Sequence, residues 1–435
     1  MQQLLGGVLD RLRGSRGPPA DASGPSSLTA LDVGTEFAKA LVVVLEPSDD
    51  GLVGVVRGSG RQRQGLTHMQ SGTVSDIDAV VANCRRALDE AEAAAGLRPS
   101  AAVIGIAGEL VKGTTSISTV RRADAHAALT EAELQTIVEQ VQADALADAE
   151  SRIAWESGVE RLDVRLVHAA IVEMKIDGYP VSNPIGFTGA ELELAVFNAF
   201  APMVHLGALQ SVAQQLGLQL LGVIAEPYAV ATSLDPGELG DAGAVFVDVG
   251  GGTTDVALVR HGGISGTKML ALGGRAFTKG LAERFSLSFA RAEALKLASG
   301  GERELPEPVS PDDLAAALGD DAEVWRRGVE LIISDLAEGE LLPGRIYLCG
   351  GGAQLPQISE ALAEGDWWRR LPFSRHPQIA GLSPDDVTGL RDATDALTTQ
   401  QDVTPMALAR QALILDAQAT PTERAMRHAM RAMQL

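Results

Sequence analysis

Residues Gly243 to Arg260, GAVFVDVGGGTTDVALVR, decide the fold. Ala244 to Val247 is a short apolar run of β-favouring residues, and Val256 to Val259 is its partner after a glycine turn. Between them Gly250, Gly251 and Gly252 can take backbone angles closed to other residues, so amide N–H groups can converge on an anion. Thr253 and Thr254 add hydroxyl donors, and Asp248 and Asp255 add hard oxygen ligands suited to a hydrated Mg2+. The stretch reads as the phosphate clamp of a nucleotide site. A glycine-rich hairpin without a ligand would carry the same local pattern.

The same device occurs earlier, in Leu28 to Val44. A strand ends in Asp32-Val-Gly34-Thr35 and a second apolar strand follows from Ala40. A matched pair of hairpins, with Asp32 in register with Asp248, implies two similar halves facing one site. A third glycine element, Gly350-Gly351-Gly352, lies between a strand from Arg345 and a helix over Leu355 to Ala363, so a flat ligand group can pack on bare backbone. Leu272-Gly273-Gly274-Arg275 breaks the chain ahead of a helix from Ala276 to Phe285. The helix Phe289 to Leu297 puts Glu293 and Lys296 on one face, as ligands of a ribose hydroxyl or as a surface ion pair. Glu226-Pro227 opens another helix, where the acid either orients a water or favours the helix dipole.

Elsewhere, Leu52 to Gln64 reads as a strand with an exposed basic end. Ile77 to Ala95 reads as a helix capped by Ser75 or Asp76 and stopped by Gly96. After a buried strand at Ala101 to Ala107, residues 110–177 look like a small α+β insertion around one long helix from Glu131. His168 and Glu173 within it read as ordinary surface or edge residues. Residues 299–321 read as a loop with a short helix, followed by an amphipathic helix from Glu323 to Glu338. Pro405 to Leu415 reads as a core-closing helix with Thr404 as its cap.

Both ends carry amphipathic stretches. Residues 1–13 place Met1, Leu4, Leu5, Val8, Leu9 and Leu12 on one helical face, followed by a Gly/Pro/Ser-rich linker over 14–27. Residues 421–435 put Met426, Met430 and Met433 on one face with basic residues around it. Each stripe suits a membrane surface, a partner protein or the chain's own domain.

Composition narrows the function classes. The chain has 435 residues, 46% of them hydrophobic, with 47 glycines, as expected of an α/β protein of two or three domains. A net charge of −21 and only 4% aromatic residues argue against nucleic-acid binding, because an acidic surface repels phosphate backbones. Cys84 and Cys349 lie far apart with no CxxC spacing, which fits a reduced cytoplasmic setting. The seven histidines show no paired metal spacing, and no apolar run has the ~18 to 20 residues of a membrane span.

Together the three glycine elements resemble the actin/sugar-kinase/heat-shock-chaperone ATPase superfamily, over residues 28–415. Asp32-Val-Gly34-Thr35 is similar to its phosphate-1 motif, Asp248 to Asp255 to its phosphate-2 motif, and Gly350 to Gly352 to its adenosine motif. Within it the chain most resembles the bacterial cell-division FtsA family, then the type IV pilus PilM family. Ser71-Gly-Thr-Val-Ser-Asp-Ile77, Gly105-Ile-Ala-Gly108, Asn183-Pro-Ile-Gly186, Gly189 and Glu226-Pro227 carry that likeness. Lys39 after Gly34-Thr35 is nearer the pilus pattern.

The resemblance implies an actin-like ATPase fold of two ribonuclease-H-like halves, with an SHS2-like insertion at the position called 1C. The first half would take 28–79 and 183–243, the insertion 80–182, and the second half 244–415 with a reduced 2B part at about 284–340. Residues 1–27 and 416–435 would be tethered amphipathic tails. ATP and Mg2+ would sit between the halves, with Asp32 and Asp248 near the hydrated metal. Gly34, Thr35, Lys39 and Gly250 to Asp255 would hold phosphates, with Gly273, Gly274, Glu293, Lys296 and Gly350 to Gly352 on the adenosine side. Glu226 would stand near the attacking water, and any ATPase activity would be slow. The implied role is a filament-forming adaptor on the inner face of the cell membrane that tethers an FtsZ ring. A pilus platform component bound to an inner-membrane protein is the alternative, and a soluble small-molecule kinase is a third class.

Overall fold

The computed structural model describes residues 27–48, 51–108, 111–157, 163–240, 242–299, 305, 308–417 and 420–434. The N-terminal amphipathic stretch and its linker lie outside the described residues. The chain begins with three antiparallel strands, β1 (Ser27–Val33), β2 (Phe37–Ser48) and β3 (Gly51–Arg63). Helix α1 (Ile77–Ala95) packs on β2 and β3. Its start follows from Asp76, whose side chain accepts the Ala79 N–H at 3.0 Å, and its end from Gly96 at φ 65°. Strand β4 (Ala101–Ile106) then runs parallel beside β1.

The inserted unit follows as β5 (Lys112–Arg121), α2 (Glu131–Ser157), β6 (Val164–Ile176) and β7 (Glu191–Pro202), with β7 antiparallel to both other strands. The residues put its start near 110, whereas the family resemblance implies a start at residue 80. Instead α1 and β4 belong to the first sheet, and the chain leaves that sheet only after β4. An amphipathic helix next to a buried strand suits either unit, and only pairing with β1 decides between them. Helix α3 (Met203–Leu216) returns the chain to β8 (Gln219–Ala225), parallel to β4, and α4 (Glu226–Ala231) follows.

The second half repeats the plan. It contains β9 (Ala244–Val249), β10 (Thr254–Arg260), β11 (Gly263–Leu270), α5 (Gly274–Arg284), α6 (Phe289–Ala298), α7 (Pro311–Ala337), β12 (Arg345–Cys349), α8 (Pro356–Ala363) and β13 (Gln378–Gly381). The first sheet orders its strands β8-β4-β1-β2-β3, with a short sixth strand, Leu390–Asp392, parallel to β3 at the edge, and the second half orders its own β13-β12-β9-β10-β11. In both, an antiparallel meander of three strands is followed by two strands parallel to the first. The same order with the same pairing senses makes the two halves copies of one plan. Strand β5 of the inserted unit pairs with β11 through Gly113 and Thr114, so its sheet continues the sheet of the second half.

Two helices differ from expectation. Helix α7 begins at Pro311, well before Glu323, because Ser310 accepts the Asp313 N–H at 3.0 Å and proline occupies the first turn. Among the described residues, 271–344 hold helices and no strand. The last helices are α9 (Val403–Asp416), apolar on nearly all sides, and α10 (Pro421–Gln434). Although it follows the second half in sequence, α9 packs on β1, β2, β4 and α4, which puts it within a core shared by both halves. Helix α10 is no free tether: Ala425, Met426 and Ala429 are buried against α2 and β6, and Arg424 pairs with Glu131 at 2.8 Å.

Candidate nucleotide cleft

Two hairpins face each other across a cavity of about 820 Å³. Each delivers an acid at the end of its first strand, Asp32 on β1 and Asp248 on β9. Their cross-strand partners differ: Lys39 opposes Asp32 on β2, whereas Asp255 opposes Asp248 on β10. Lys39 Nζ donates to Asp32 Oδ2 at 3.1 Å and to the Gln401 carbonyl at 2.6 Å. One half thus presents an ion pair at the cleft floor, and the other presents two acids.

The turns are held closed by contact between the halves. Arg275 Nε donates to Glu36 Oε2 at 2.8 Å and its Nη2 donates to the Thr35 carbonyl at 2.7 Å. A side chain at Gly251 would meet Glu36 Cβ at 2.8 Å, and one at Gly252 would meet Thr35 at 2.9 Å, so glycine is what lets the hairpins touch. The start of α5 is stitched to the same turn, through Gly274 N–H to the Gly250 carbonyl at 2.9 Å and Arg275 N–H to the Gly251 carbonyl at 2.8 Å. The first turn of α5 therefore stands beside the phosphate-type loop, where its dipole favours an anion.

Most of the residues expected at a nucleotide site line this cavity: Asp32, Gly34, Thr35, Lys39, Glu226, Asp248, Gly250, Gly251, Thr253, Asp255, Gly274, Glu293, Lys296 and Gly350 to Gly352. Gly252, Thr254 and Gly273 do not. Gly252 packs on Thr35, and a side chain at Gly273 would meet the Gly250 carbonyl at 2.6 Å. Thr254 is a buried joint, donating to the Leu272 carbonyl at 2.7 Å and accepting from Trp325 Nε1 at 2.8 Å. The Glu293–Lys296 pair is not a surface ion pair. Both are buried, 2.8 Å apart, with Lys296 Nζ also donating to the Gly274 carbonyl at 2.9 Å and Thr278 donating to Glu293.

Sequence reasoning missed several wall residues. Arg61 and Arg63, the basic end of β3, line the cleft, and Arg61 lies over the Phe37 ring at 3.6 Å. Thr404 is the clearest miss. Expected to cap α9, it instead donates to Asp248 Oδ2 at 2.5 Å, while the turn before the helix is closed by a Thr399–Asp402 capping box. Its hydroxyl identity was visible, but its partner lies 156 residues away.

Asp32, Glu36 and Glu293 of the cleft are ion-paired, whereas Glu226, Asp248 and Asp255 form no salt bridge among the described residues. Burial raises the Glu226 carboxyl well above its ordinary value, and Asp32, Asp255 and Asp248 raise it further against the pull of Lys39. Burial and then Asp248 push Asp255 up to about 8. Asp248 is also raised, by burial first, with the Thr404 hydrogen bond opposing. A divalent cation would offset this repulsion. Among the described residues no three acids or histidines form a direct metal shell, so the donor set fits a hydrated Mg2+ reached through water and phosphate oxygens.

Comparisons with known proteins find relatives in sequence and in fold. The family model described as "Cell division protein FtsA" matches residues 245–387. The FtsA of Pseudomonas aeruginosa is 27% identical over 366 residues, 78% of this chain and 80% of that protein. The FtsA of Bacillus subtilis is 24% identical over 83% of this chain and 81% of its own. Among solved structures, the PilM-PilN type IV pilus biogenesis complex superposes with a TM-score of 0.61 at 17% identity, covering 90% of this chain and 99% of that chain, and shares the fold. The chain is similar in sequence to the cell division protein FtsA and shares its fold with PilM.

Proposed function

We propose that the chain is an ATP-binding adaptor of the FtsA type, working as a peripheral protein on the inner face of the cell membrane and tethering an FtsZ-like division filament. The observation that supports it most is the meeting of two equivalent hairpins around a cleft in which Asp248, Asp255 and Glu226 form no salt bridge among the described residues. ATP would lie with its phosphates on the turns of Gly34-Thr35 and Gly250 to Thr253. Asp32 and Asp248 would hold a hydrated Mg2+, which when bound supplies charge neutralisation. Arg61, Arg63 and the Glu293–Lys296 pair stand where a base and ribose would be received, next to bare backbone at Gly350 to Gly352. Glu226, whose raised pKa suits a group that accepts a proton, is the candidate to orient a water. A clamp that holds a nucleotide does not thereby stabilise the transition state, so turnover would be slow.

Among the described residues no helix is long and apolar enough to cross a membrane. Helix α10 spends its buried face on the inserted unit, so residues 1–13 are the better candidate for membrane attachment. The pilus-platform reading draws on the shared fold with PilM and on Lys39. Co-sedimentation separates the two. With ATP–Mg2+ the chain is expected to pellet with polymerised FtsZ; remaining in the supernatant while being retained by the cytoplasmic segment of a pilus inner-membrane protein would reverse the assignment.

A further inference from the structure

A second cavity, of about 310 Å³, lies away from the nucleotide cleft, between β6 of the inserted unit, β8 and α9 of the core, and helix α10. Its volume is at the lower end for ligand pockets, about 300–1,000 Å³. Most of its wall is aliphatic, including Ile171, Leu221, Ile414 and Met426, yet Arg410, His168 and Thr422 also line it. These three are buried, at 3%, 6% and 4% exposure, and each keeps a buried polar atom without a hydrogen-bond partner: Arg410 Nη1, His168 Nδ1 and Thr422 Oγ1.

Arg410 carries the argument. Its Nε donates to the Thr388 carbonyl at 3.0 Å, and no carboxylate pairs with it among the described residues. A guanidinium taken out of water without a counter-ion is strongly disfavoured. The acid on this wall, Glu423, is turned to its own helix start, accepting the Thr420 N–H at 2.7 Å. His168 packs edge-on to Tyr228 at 4.4 Å and Phe197 at 6.0 Å, and its burial keeps the ring neutral, able to accept or donate one hydrogen bond. An apolar chamber with the buried, uncompensated Arg410, a second arginine, Arg427, at its wall and unmet hydrogen-bonding atoms is complementary to a molecule with an apolar body and an anionic head.

We propose that this chamber binds a small amphipathic carboxylate, with its head neutralising Arg410 and its tail against the aliphatic wall under α10. Because α10 forms one wall, occupancy would hold that helix on the inserted unit.

The test uses the full chain, titrated by calorimetry with decanoate, and with decan-1-ol as the uncharged counterpart. Decanoate is expected to bind saturably, one per chain, at least tenfold more tightly than decan-1-ol. Arg410→Met, which keeps the length and apolar stem, is expected to weaken decanoate at least tenfold and to leave decan-1-ol unchanged. No saturable decanoate binding up to millimolar concentration, equal binding of acid and alcohol, or unchanged decanoate binding in Arg410→Met would each overturn the proposal. The acid-to-alcohol ratio in the wild type decides the matter if the variant does not fold.

Discussion

At the scale of single residues, Thr404 and His168 show how position gives a common side chain its role. The Thr404 hydroxyl donates to Asp248 and opposes the upward push of burial on that carboxyl, so Thr404→Val removes a buried hydrogen bond to the carboxyl group. We expect the variant to lose about 1–3 kcal/mol of stability by thermal or urea unfolding, and to bind ATP–Mg2+ more weakly. His168, read from sequence as a surface or edge residue, is buried against Phe197 and Tyr228, which pushes its pKa down to about 3. His205 is likewise lowered, to about 4, chiefly by burial. Both are held neutral in the fold but take up a proton when unfolded, below their ordinary value near 6.5. Their contribution is therefore complete above that pH and lost as pH falls towards the folded values, by at most about 1.4 kcal/mol per pH unit for each. Between pH 6 and pH 5, His168→Phe should show a shallower fall in unfolding free energy than the wild type. Identical slopes would mean that the ring is protonated in the fold. Nothing local to His168 points to the aromatic residues that bury it.

Among the elements, the hairpins and caps were legible because their causes are local. Asp76, Gly96 and the glycine turns act within a few residues, and α1 and the paired strands of the two hairpins fall close to where the pattern puts them. The third glycine element supports a sharp contrast. Gly350 has φ 86°, and a Cβ there would lie 2.1 Å from Asp248 Oδ1 and 2.5 Å from the Val249 carbonyl. At Gly351 the nearest atom, Gln401 Cβ, is 3.8 Å away. Gly350→Ala is expected to cost several kcal/mol or to prevent folding, and Gly351→Ala to stay within about 1 kcal/mol of wild type, read from chemical unfolding. Equal effects would contradict the packing described. Two readings failed at this scale, one for a local reason and one for a distant one. The early start of α7 was hidden in an acidic, proline-rich stretch, and the docking of α10 depends on a surface that the inserted unit supplies.

For the whole molecule, the repeated strand order explains why one chain carries the acid-glycine device twice, and α9 explains how the halves are tied. That helix packs on the first sheet while presenting Thr404 to the acid of the second half, and Arg275 spans the turns. The duplication could be seen in the motifs. The bridging could not, since neither Thr404 nor Arg275 has a local feature that points across the cleft. The central claim is that this junction is a nucleotide site that depends on Asp248. Calorimetric titration of the full chain with ATP in the presence of Mg2+ tests it most directly, with Asp248→Ala alongside. The account predicts saturable binding of one ATP per chain, weakened when Mg2+ is chelated and abolished in a folded Asp248→Ala variant; no saturable binding by the wild type, or equal affinity in the variant, would contradict it.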